Sequence, residues 1–136
     1  MLTNLNQPGS VTAVVAGIIA SLPESQISAP TGAWHWAFLQ LRDRHGQAVP
    51  ELRELEFIKS PGSFPVSERL EGILQMIDIA GTGSTLNPTL MVRQFDKTQK
   101  ERLKRRVSGR IKGRQALIRG LGKELRDLLQ DALAAS

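Results

Sequence analysis

The chain has no cysteine and no tyrosine, and aromatic residues make up only 4% of its 136 positions. Without cysteine there are no disulfides and no thiolate metal sites, a composition that suits a reducing cytoplasm. Scarce aromatics leave the core to Leu, Ile and Val, and they give little support to base stacking on single strands. Only two histidines are present, His35 and His45. Neither has a serine or cysteine arrangement to pair with, and Glu51, Glu54 and Glu56 lack a second group at metal-ligand spacing. No enzyme activity, cofactor or metal is expected. His35, between Trp34 and Trp36, reads as a helix-surface or boundary residue, and the three glutamates read as a solvated face.

Long apolar runs are also missing. The uncharged stretch 1–23 contains Val14-Val15-Ala16-Gly17-Ile18-Ile19, far short of the roughly 20 residues that span a bilayer, and it lacks a basic leader. A core helix without membrane insertion is expected there. Hydrophobic residues at 40% and charged residues at 23% exclude wholesale disorder.

Positive charge is scarce in the first two thirds and dense afterwards. Residues 1–92 carry five basic side chains against eight acidic ones, a net of −3, while residues 93–136 carry 13 against five, a net of +8. Within 97–119 ten basic residues face one acidic residue, Glu101. A mildly acidic body therefore bears a basic arm, which points to an anionic partner far more specifically than an evenly spread pI of 10.2 would.

Ser10 caps an expected helix to about Leu22, where Pro23 stops it, with Val11, Val14, Val15, Ile18, Ile19 and Leu22 at helical spacing. Glu24–Pro30 reads as a loop. Thr31 is a second candidate cap, for a helix burying Trp34, Ala37, Phe38 and Leu41 and ending near His45-Gly46. In 51–59 a helical turn passes into a short strand. Ser67 caps the clearest helix of the body, expected to Ala80, with Leu70, Ile73, Leu74, Met76 and Ile77 inward. Gly81–Thr85 follows a helix and lacks the lysine of a phosphate loop, so it reads as a C-cap and turn. Leu86–Phe95 is the best strand candidate.

The expected fold is mainly α with a minor β-hairpin or wing. Residues 1–95 form a small helical body, and 96–136 form a basic long helix or helical hairpin that is coiled-coil-like in its second half. Three short helices followed by a turn and an extended segment resemble a winged-helix body, with Ser67–Ala80 as third helix and Gly81–Phe95 as wing.

In the arm, Asp96 and Gln99 make a capping box. Leu103, Val107, Ile111, Leu117, Ile118, Leu121, Leu125, Leu128 and Ala132 keep one apolar stripe, and Ile118, Leu121, Leu125, Leu128 and Ala132 also step as a heptad seam. Gly109, Gly113, Gly120 and Gly122 oppose continuity at roughly 1 kcal/mol each. The persistent phase favours one helix, kinked near Gly120. At about 1.5 Å per residue it would extend close to 60 Å, too long for a body of some 12–13 Å radius of gyration to cover. Part of the stripe would then meet a second copy or a partner protein, through Ile118, Leu121, Leu125 and Leu128.

Arg110 and Arg114 fall on the stripe beside Gly109 and Gly113, a costly place for charge unless it has a task. The expected function is binding of duplex nucleic acid, most simply duplex DNA, by phosphate contacts from Arg102, Lys104, Arg105, Arg106, Arg110, Lys112 and Arg114. A transcriptional regulator or accessory DNA-binding subunit is the matching role. The alternative is an adaptor or assembly subunit whose long helix docks on a larger complex.

Overall fold

A computed structural model describes residues 11–23, 27–59, 65–76, 81–82, 92–95, 97–107 and 114–135. It is mainly helical. In chain order the elements are α1 (Val11–Ala20), β1 (Ile27–Pro30), α2 (Thr31–His45), a 3-10 helix (Pro50–Glu54), α3 (Glu68–Met76), β2 (Gly81–Thr82), β3 (Val92–Phe95), α4 (Lys97–Val107) and α5 (Gln115–Ala135).

α1 is the central helix of the core. Its ten residues carry no charge and only Thr12 is polar, and all ten are buried. A helix apolar all round must be enclosed, and α3, α4, α5 and the 3-10 helix all pack on it. Ser21 ends it, donating its hydroxyl to the Gly17 carbonyl at 2.8 Å, with Pro23 two residues on. On α2, Trp34 and Phe38 are fully buried, and the Trp34 Nε1–H donates to the Ala29 carbonyl at 3.2 Å, so the indole enters the core with its polar atom satisfied.

The three strands form an antiparallel sheet in the order β1-β3-β2. β1 lies where a loop was expected. Ile-Ser-Ala-Pro has too little local pattern to announce a strand, and it is made one by pairing Ile27 with Phe95 and Pro30 with Val92. Pro30 is tolerated because β1 is an edge strand and proline needs no ladder donor there. Thr31 does not cap α2: the residue before the helix is Pro30, without a side-chain capping bond, and Thr31 is buried inside the first turn. Gly46 ends the helix, as its place after His45 predicted.

Ser67 does cap α3. Its hydroxyl accepts from the Leu70 N–H at 3.1 Å, and its carbonyl accepts from Glu71. Leu70, Ile73 and Leu74 face inward. Residues 77–80, 83–91 and Asp96 lie outside the described residues, so the expected extension of the helix, the start of the strand at Leu86 and the capping box belong to that part. Residues 51–58 follow the mixed expectation, with the 3-10 helix leading to an Ile58–Val66 bridge.

The arm departs most from expectation. Lys97–Val107 and Gln115–Ala135 are separate helices, with Arg114 outside both. The break lies before Gly120, and Gly120 and Gly122 both stand inside α5. Two tertiary contacts explain this. Both α4 and α5 pack on the ten-residue α1, so each keeps the stripe phase by burying it on the same central helix. At Gly122 a Cβ would stand 2.6 Å from the Ser21 Cβ and 2.7 Å from its carbonyl carbon, so the glycine lets α5 touch the end of α1. Gly120 meets nothing within 4 Å.

Candidate nucleic-acid interface

α4 is anchored by Leu103, which is 2% exposed. Thr98, Glu101, Arg102 and Arg105 recur at helical spacing on the opposite face and are exposed, with Lys104 exposed on the flank. Arg102 and Arg105, three residues apart, are surface neighbours. Among the described residues neither Lys104 nor Arg105 has an ion pair, so their charge is not cancelled by a fixed carboxylate. Arg106 belongs to α4, but its side chain, and the whole of Arg110 and Lys112, lie outside the described residues.

Arg114 is placed differently from the expectation that gave it a phosphate. Its Nη1 and Nη2 donate to Glu51 Oε1 and Oε2 at 3.0 and 2.5 Å, a bidentate pair joining the 3-10 helix to the start of α5. The hydrogen bonds from Arg114 hold the Glu51 carboxyl below its ordinary range, against the opposing effect of partial burial, and Glu51 raises the guanidinium in turn. The charge that was expected to meet a phosphate from the apolar stripe is instead paired with a carboxylate of the same chain.

The four residues expected to meet another chain are in the core. Ile118 and Leu125 are fully buried, and Leu121 and Leu128 are 2% exposed, because α5 lies against α1 and α2. The heptad seam is real as a pattern, and its holes are supplied within the chain. The rod argument failed because it assumed a continuous helix.

Two exposed cations stand outside the seven residues expected to contact phosphate. Arg119 and Lys123, one turn apart, stand on the solvent face of α5. The acidic residues near Lys123 in sequence are engaged elsewhere: Glu124 turns to α2, where it accepts from Arg44 Nη1 at 3.2 Å and lies 2.9 Å from His45 Nε2. Asp127 pairs with Arg126 at 2.7 Å. The signal available was wheel position: residues 119 and 123 lie off the 118–121–125 seam.

His35 is buried, where a helix-surface or boundary position was expected. The Ser67 backbone N–H donates to its Nδ1 at 2.9 Å, which leaves the proton on Nε2, 3.1 Å from Glu71 Oε1. It fastens α2 to the start of α3. Among the described residues no group of His, Asp and Glu could hold a metal ion, and no helix is long and apolar enough to cross a membrane. No family model, no curated protein and no solved structure matches this chain.

Proposed function

We propose that the protein binds the phosphate backbone of duplex nucleic acid through α4, with Lys104 and Arg105 as the principal contacts and Arg102 beside them. The observation that carries this reading is the exposure of these cations on a helix whose inner face is anchored to the core, without an ion pair at Lys104 or Arg105. Phosphates attract such a surface, and counterion release gives affinity that needs no base contact. Arg119 and Lys123 are further exposed cations, on α5.

The strand order β1-β3-β2 and the place of β1 between the first two helices are compatible with a winged-helix arrangement. In that arrangement α3 would enter the major groove. The described surface of α3 argues against this, since Glu68 and half-buried Glu71 outweigh Arg69 there. The contact is therefore assigned to α4 and to the backbone, and duplex DNA of any sequence is the expected ligand. The adaptor reading loses its surface, because Leu121, Leu125 and Leu128 are buried.

Anisotropy of a fluorescent DNA duplex at low salt tests the proposal. Wild type binds, and Lys104→Glu/Arg105→Glu binds at least about tenfold more weakly. Equal binding by the two proteins would reject it.

A further inference from the structure

Ile58 and Val66 form an isolated antiparallel bridge, each N–H donating to the other's carbonyl, at 2.8 and 2.9 Å. Residues so paired project their side chains to one face of the ladder. These two are 67% and 40% exposed, so a joined apolar surface faces solvent. A single exposed aliphatic side chain needs no explanation, but a pair aligned by a bridge is a small patch.

The surroundings of that patch are charged, and mostly of one sign. An open recess of about 320 Å³ beside it is lined by Glu54, Glu56, Ile58, Glu68 and Arg69. Arg69 is bonded to Glu54 at 3.2 Å. Glu56 and Glu68 are exposed and have no ion pair among the described residues. Lys59 is also exposed but does not line the recess. Ile58 is thus the apolar wall of a recess whose uncompensated charges are carboxylates.

We propose that this surface docks a peptide segment of a partner protein in which an apolar side chain is flanked by Lys or Arg. The apolar side chain covers Ile58 and Val66, and the flanking cations meet Glu56 and Glu68. Neither contact suffices alone, since exposed ion pairs contribute little and two aliphatic side chains offer little area. Together they select a basic and apolar segment over an acidic or purely polar one. The surface is opposite in sign to α4, and the proposal does not depend on nucleic-acid binding.

The test uses the full chain and a fluorescein-labelled peptide of repeated Gly-Lys-Leu-Lys units, read by anisotropy at physiological salt. Saturable binding is expected, weakened about tenfold by Ile58→Ser and by Glu56→Gln/Glu68→Gln. Replacing each Leu of the peptide by Gly should weaken binding to wild type equally, with no further loss on Ile58→Ser, as expected when the two side chains share one contact. Undiminished binding by Ile58→Ser, or loss with the carboxylate variant alone, would overturn the proposal. So would sedimentation showing a dimer of the unliganded chain that Ile58→Ser dissolves, because the patch would then belong to a second copy. Ile58, Glu56 and Glu68 are all exposed, and circular dichroism of each variant should match wild type.

Discussion

Both oxygens of Glu51 are held by both terminal nitrogens of Arg114, across 63 positions of sequence. The pair fixes the start of α5 to the 3-10 helix, at the point where the basic arm resumes after α4. It also removes one cation from the surface that faces solvent.

Arg114→Gln should lower stability by about 1 kcal/mol at neutral pH, a modest value because the two side chains are 29% and 15% exposed and water screens them. The Glu51 carboxyl is depressed in the folded state. Its contribution is therefore complete above the range of an ordinary, unfolded-chain glutamate and is lost as pH falls through the lower folded value. Urea midpoints of wild type and Arg114→Gln should differ at pH 7 and converge in strong acid.

The two glycines of α5 should respond in opposite directions. Gly120→Ala meets nothing within 4 Å and should stabilise the protein by up to about 1 kcal/mol through helix propensity. Gly122→Ala places a methyl group against the Ser21 backbone and should cost about 1–3 kcal/mol. Thermal unfolding of the two variants, followed by circular dichroism, measures the difference.

His35→Ala removes the acceptor of the buried Ser67 N–H and opens space beside α3. A loss of about 2–3 kcal/mol is expected. Ser67→Ala, which removes only the cap to Leu70, should cost about 1. Denaturant titration that ranked these two in reverse order would mean that the ring is not the fastener between α2 and α3.

Leu125→Ala should cost about 2–5 kcal/mol, since the residue is fully buried where α5 packs on the body. Sedimentation should give the same molecular mass for both proteins, because the side chain serves the fold of its own chain. A mass that falls on substitution would restore the assembly reading.

Local chemistry was the legible part of this fold. Ser67, Gly46 and the apolar faces of α1, α2 and α3 obey rules that act within a few residues, and they stand where those rules put them. What depended on distant partners was not legible. β1 exists through β3, some 65 residues on, and Gly122 is explained by Ser21, not by its own helix. For the site, charge density identified α4 as a basic surface, with Lys104 and Arg105 exposed on it. The partner of Arg114 and the enclosure of the α5 seam within its own chain follow from packing that sequence spacing alone does not encode, whereas the exposure of Arg119 and Lys123 was available from their wheel position.

The central claim rests on the cations of α4, and its most direct test is the salt dependence of duplex DNA affinity. A plot of log K against log salt should be linear and steep for wild type, and Lys104→Ala/Arg105→Ala should reduce its slope by about 2, close to one unit per lost phosphate contact. A slope unchanged by the double substitution, or no binding at low salt, would contradict the account.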